Sequence, residues 1–284
     1  MNRRVFQNRP LTDAEIAQYA PSAFAVEPWQ GMSSRYAFVP TSKVIAGMRN
    51  AGFLPFNVMQ SRTRILGKEN FTKHLLRFRA ADQQLNHVGD TAVEAILANS
   101  HDGASCYEIS LGAFRLTCEN GAMVSEGLAE IYRVRHTGNI ITDVVDATRR
   151  ILGFAPKVVE AIKNWKGIQL NVSEQKLLAE AAYTLRFDEP IPGVTAENLL
   201  ASRRYADNGT DLWTVYNRIQ ENVIKGGIVP RSDNGSRVRV VNEQTGQSRK
   251  AARTRGVVGI AENTKLNRAL WTLAEEFAKL KGQA

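Results

Sequence analysis

Between Phe53 and His136 the apolar residues of this chain recur at every second position, and after that stretch they recur every three to four. Side chains alternate across a strand with period two and return to one face of a helix with period 3.6, so this switch limits the chain to a sheet followed by helices. The spacing predicts strands at Phe56 to Leu66, Lys73 to Ala80, Ala92 to Ala98, Cys106 to Cys118 and Ala129 to His136. Between them stand "GKEN", "HVGD", "SHDG" and "ENG", short linkers rich in residues that tolerate positive φ. Linkers this short suit antiparallel neighbours, because parallel strands need a long crossover.

Ahead of the sheet, "LTDAEIAQY" begins with a Thr/Asp cap and predicts a peripheral helix. A short strand at Tyr36 to Val39 then leads into "TSKVIAGMRNAG", with Thr41 as N-cap, Val44, Ile45 and Met48 on one face and Gly52 as terminator. Beyond the sheet, "NIITDVVDATRRILGF", "APKVVEAIKNWKG", "SEQKLLAEAAYTL" and "TDLWTVYNRIQENVIKGG" are helical in period. The last helix, "NTKLNRALWTLAEEFAKL", spaces Leu266, Leu270, Leu273, Phe277 and Leu280 by four and three, a stripe suited to core or oligomer packing. The expected fold is α+β: an antiparallel sheet preceded by a strand-helix unit and followed by long helices. Its parts are an extension over residues 1–28, a core over 29–200 and a helical region over 201–284 carrying a basic hairpin or arm at about 231–256.

The segment "NSHDGASCYEISLGAFRLTCENG", Asn99 to Gly121, gathers residue types used in metal and nucleophile chemistry: His101, Asp102, Cys106, Cys118, Glu119 and Asn120. A structural zinc site wants paired Cys or His ligands at short spacing, and none is present. Turn chemistry accounts for more: Asp102 with Gly103, and Asn120 with Gly121, are hairpin signals around an alternating strand. No phosphate-binding glycine loop, nucleophile elbow or zinc-protease helix motif occurs, and the carboxylate pairs Glu275/Glu276 and Asp143/Asp146 fall on helices as solvated faces. No catalytic residue, metal or cofactor is therefore assigned. Two cysteines make no disulfide framework, and no apolar run reaches the roughly 18 residues of a membrane span. The N-terminus is too polar for a signal peptide, and a cytoplasmic location follows.

Charge is what points to a partner. Lys and Arg number 37 against 28 Asp and Glu, a net charge of +9. Arginines occupy alternate positions at Arg62 and Arg64, Arg77 and Arg79, Arg115, and Arg133 and Arg135, with apolar residues between them in the later strands. This pattern predicts one basic sheet face, which a bound polyanion would neutralise. A second cluster, "PRSDNGSRVRVVNEQTGQSRKAARTRG", holds Arg231, Arg237, Arg239, Arg249, Lys250, Arg253 and Arg255 against Asp233 and Glu243. Two β-like arms around a turn would form a hairpin able to reach a phosphate backbone.

The segments "SRYAFVPTSKVIAGMRNAGFLPFNVMQSRTR", "NSHDGASCYEISLGAFRLTCENGAMV", "IYRVRHTGNI" and "RTRGVVGIAENTKLNRALWTLAE" resemble motifs of the phage- and plasmid-borne domain-of-unknown-function family typified by YfjQ and YafZ. The resemblance runs from about Trp29 to Glu276 and implies a role in mobile-element DNA metabolism. In outline the element order is also similar to Rad52-like single-strand annealing proteins, which implies rings holding single-stranded DNA in a basic groove. The expectation is a non-catalytic protein that binds single-stranded DNA, with duplex DNA as a further partner, and promotes annealing as a homo-oligomer such as a ring. A metal-dependent nuclease and an inhibitor of a host defence protein are the alternatives.

Overall fold

In the computed structural model the described residues are 3–6, 9–32, 36–81, 87–88, 91–115, 121–124, 129–135, 139–242 and 244–282. The chain divides into two compact units, Met1–Ala161 with Val258–Thr264, and Ile162–Val257 with Lys265–Ala284.

The first unit is built on an antiparallel sheet. Its strands are β1 (Arg3–Phe6), β2 (Phe53–Gln60), β3 (His74–Ala80), β4 (His87–Val88), β5 (Thr91–Asn99), β6 (Tyr107–Arg115), β7 (Gly121–Met123) and β8 (Tyr132–Val134). Their order is β1-β2-β3-β5-β6-β7, with β4 beside β5 and β8 beside β6. Helices α1 (Asp13–Tyr19), α2 (Thr41–Asn50) and α3 (Ile140–Leu152) belong to this unit, and α4 (Ala155–Gly167) begins in it. Thr12 and Glu15 form the capping box that starts α1.

Register fixes which side chains share a face. Leu76 pairs with Val58 and Leu97, and Arg77 with Asn57 and Ile96. One face therefore presents Leu76, Phe78, Leu97, Ile109 and Leu111, all buried, on the side covered by α2 and α3. The other presents Leu75, Ile96, Phe114 and Met123, which pack with Ile260 of the same unit. Every residue of β5 is buried. A strand covered on both faces reads as a near-continuous apolar run, as "AVEAILA" does apart from Glu94.

Covering both faces is why the expected basic sheet face does not form. Arg77 and Arg79 lie on the face with Leu75, whereas Arg115 pairs with Thr91 and belongs to the opposite one. Strand β2 ends at Gln60, so Arg62 and Arg64 stand in the following loop. Residues 36–40 run outside any strand, their place fixed in part by the Tyr107 hydroxyl donating to Val39 O at 3.0 Å. The end of the predicted fourth strand, with Leu116, Thr117 and Cys118, lies outside the described residues, as do Asn120 of the hairpin signal and His136.

The second unit holds α5 (Val172–Arg186), α6 (Leu212–Lys225), most of α7 (Ile260–Gly282), the end of α4 and the two-stranded hairpin β9 (Arg239–Val241) and β10 (Ser248–Lys250). Asn171 caps α5 in a reciprocal box with Glu174, two residues ahead of the "SEQ" with which the helical pattern starts. Trp165, Trp213, Tyr216 and Trp271 form its aromatic centre, with Trp165 and Trp271 ring centroids 4.7 Å apart. The buried line of α7 is Leu266, Leu270, Trp271, Ala274 and Ala278, so the predicted leucine stripe is turned and Leu280 is exposed. Trp271, wholly buried, lies on that line and packs its indole against Trp165 and Tyr216.

Candidate nucleic-acid interface

The arm predicted at 231–256 is an ordered hairpin. Ser248 pairs with Val241, Arg249 with Val240 and Lys250 with Arg239. Its turn is closed by Asn242, whose Oδ1 accepts from the Gln244 and Thr245 amides at 2.9 and 3.0 Å. All six strand residues are exposed. Arg239 and Lys250 thus face each other directly across the ladder, an arrangement that costs about 0.2–1 kcal/mol unless something anionic sits between or above them. The Arg239 guanidinium donates to Ser248 Oγ and O at 2.8 and 3.0 Å, which orients it without neutralising it. Arg231, Arg249, Arg253 and Arg255 are also exposed. Among the described residues no carboxylate pairs with any of these six cations. Arg237 differs: it is half-buried and donates to Ala251 O at 3.1 Å, tying the hairpin base together.

The sheet arginines are placed otherwise. Arg77 and Arg79 are 3% and 7% exposed and both turn onto Glu94, each Nε 2.5 Å from one carboxylate oxygen. Their guanidinium groups lie 3.3 Å from the Phe114 ring centre and 4.1 Å from that of Phe56. A buried glutamate must find cationic partners, and the alternation that resembles a basic face is the registry that supplies them. Arg133 sits 3.5 Å from Glu108, and Arg115 is half-buried. Arg62, Arg64 and Arg135 are exposed.

The "NSHDG" segment has a role that periodicity did not reveal. Thr41, expected as a cap, is the first helical residue of α2, and its hydroxyl points inward. It lies 2.9 Å from His74 Nε2, 3.0 Å from His101 Nε2, 3.1 Å from Asn99 Nδ2 and 3.2 Å from the Tyr107 hydroxyl. His74 Nδ1 is 2.9 Å from Ser22 Oγ, and Ser22 donates to Gln60 Oε1 at 2.9 Å. Ser22, Thr41, His74, Asn99, His101 and Tyr107 are wholly buried. Burial pushes the His74 imidazole down to about 4, and it raises the Tyr107 hydroxyl above the ordinary tyrosine range. Sequence reasoning missed this network because Ser22, Thr41, His74 and Asn99 are far apart in the chain. The one signal available was an unusual number of polar residues at inward strand positions.

Asp102 and Gly103 do make the turn: Asp102 Oδ1 accepts from the Ala104 amide at 3.1 Å, and Gly103 has φ +76°. Among the described residues no group of three or more His, Cys, Asp or Glu side chains is arranged to hold a metal ion. No helix among them is long and apolar enough to cross a membrane.

A family model described as a domain of unknown function, DUF932, matches residues 28–271. The chain belongs to the DUF932 family. Two curated relatives from Escherichia coli strain K12, UPF0380 protein YafZ and UPF0380 protein YfjQ, are each 38% identical to it over 269 residues. Those alignments take in 95% of this chain and 92% of each relative. No solved structure matches this DUF932 protein. The family match includes the basic hairpin and every residue of the buried Thr41 network except Ser22.

Proposed function

We propose that this DUF932 protein is a cytoplasmic nucleic-acid-binding protein of mobile elements that captures single-stranded DNA and favours annealing without catalysing a covalent step. The observation that carries the reading is Arg239 directly opposite Lys250 on an exposed ladder, with Arg249 beside them and no carboxylate partner among the described residues. Phosphates relieve such repulsion, and counterion release makes the contact favourable and salt-dependent. Backbone capture leaves base edges free for pairing, which annealing requires. The family resemblance supports the mobile-element setting, and many contacts acting together would call for a homo-oligomer.

The test is anisotropy of labelled single-stranded and duplex oligonucleotides over a salt series, with native mass measured alongside. Arg249→Gln with Lys250→Gln is expected to weaken binding about equally for unrelated sequences and to lower the single-strand salt slope by roughly 0.7 per lost contact. An unchanged slope in this variant, with circular dichroism unaltered, refutes the reading.

A further inference from the structure

The loop joining β2 to β3 places two large aliphatic side chains in water: Leu66 is 93% exposed and Ile65 55%. One exposed leucine is unremarkable on any protein. Here, however, the pair stands at the tip of a turn that several bonds hold in place. The Lys68 amide donates to Ile65 O at 3.2 Å, and Gly67 takes φ +79°. At the loop base the Ser61 amide donates to Lys73 O at 2.8 Å, and Thr72 Oγ1 to Ser61 O at 2.8 Å.

The buried network buttresses the same loop. Gln60, which accepts from Ser22, donates to Glu69 O at 2.6 Å. The His101 amide donates to Phe71 O at 3.0 Å, and Asp102 holds Lys68 Nζ at 3.0 Å. Thus the "SHDG" turn is a brace for residues 61–73, and the tip is presented with little conformational entropy left to lose. Arg62 and Arg64 flank it, exposed and with no carboxylate partner among the described residues. A pocket of about 390 Å³ opens at the loop base between Gln60, Arg62, Glu69 and Asn70. That volume lies in the range of small-ligand sites, about 300–1,000 Å³.

We infer that this loop is a base-contacting element, with Leu66 and Ile65 wedged against bases while Arg62 and Arg64 hold the neighbouring phosphates. Apolar wedges inserted at base steps are an established way for proteins to grip nucleic acid. A lipid surface is the competing occupant. It suits the loop less, because two aliphatic tips and two arginines give only marginal anchoring to an anionic leaflet. A base step needs only one or two side chains. The inference rests on the nucleic-acid reading, and it adds a contact to bases where the hairpin contacts only phosphates.

The experiment uses the full chain and the variants Leu66→Ser and Arg249→Gln/Lys250→Gln. Probes are a labelled single-stranded oligonucleotide, the same strand with abasic positions at its centre, a strand carrying fluorescent aminopurine, and vesicles of phosphatidylcholine with phosphatidylserine. Because Leu66 is exposed, its loss leaves the core intact. Leu66→Ser is expected to weaken binding of the ordinary strand about tenfold, the effect of losing half or more of a leucine's burial, without changing the salt slope. Binding of the abasic strand should be unmoved by that substitution, and the aminopurine signal of the parent protein should be lost. If the parent protein binds and the hairpin variant weakens it, but Leu66→Ser binds both strands as the parent does, this inference fails and the nucleic-acid reading stands. Vesicle binding abolished by Leu66→Ser with DNA affinity unchanged assigns the loop to membranes and also overturns it. If the parent binds no oligonucleotide, both readings fall.

Discussion

Glu94→Gln is the substitution that the structure makes most informative. Glu94 has no exposed surface, and its two oxygens are each 2.5 Å from an arginine Nε, those of Arg77 and Arg79. The amide keeps the shape but removes the charge, and its NH2 then points at a guanidinium. Two buried cations would be left facing a neutral group, with the rings of Phe114 and Phe56 against their guanidinium groups. Removing one partner of a buried ion pair costs about 3–5 kcal/mol, against the roughly 5–15 kcal/mol that holds a domain together. With a urea dependence of about 1–3 kcal/mol per molar, the midpoint should fall by one molar or more. Urea unfolding followed by circular dichroism measures this directly. A triple replacement, Glu94→Leu with Arg77→Met and Arg79→Met, should recover most of the loss, since apolar groups of similar volume remove the desolvation cost as well as the attraction. A loss under about 1 kcal/mol for Glu94→Gln would refute the reasoning. So would an Arg79→Gln protein of unchanged stability that binds DNA more weakly, because the arginine would then be facing a ligand rather than Glu94.

Two further outcomes follow from the polar network and its turn. His74 is held near 4 when folded and returns to about 6.5 when unfolded, so the unfolded chain binds the extra proton between those values and stability falls as pH drops through that window. The protein should be about 2 kcal/mol less stable at pH 5 than at pH 7.5, a difference that His74→Gln removes, as urea midpoints at the two pH values will show. Gly103→Val forces a β-branched residue to φ +76° with its Cβ 3.1 Å from Met32 Sδ, and a loss of about 2 kcal/mol or more should appear as a lower Tm. A Tm unchanged within a degree would show that the turn is free to rearrange.

Periodicity alone determined the class of the fold. The short β-like runs "HLLRFRA" and "TAVEAILAN" correspond to β3 and β5, and the 3.6-residue pattern from Ile140 onward to the helices that follow. These are local properties, set by which face of each element can be apolar. The sequence also marked the hairpin, because turn residues between two short β-like runs are a local signal too. Which face an arginine occupies, and what stands opposite it, is not local. "RFR" reads the same whether its guanidinium groups meet water or Glu94, and only the pairing of β3 with β5 brings them within 2.5 Å of that carboxylate. Likewise Ser22, Thr41, His74 and His101 are separated by up to 79 positions in the chain. Their hydroxyls and rings come within about 3 Å of one another only after the strands are in register and α2 is laid across them, because hydrogen bonds of that reach are made by the packed structure and leave no period in the sequence.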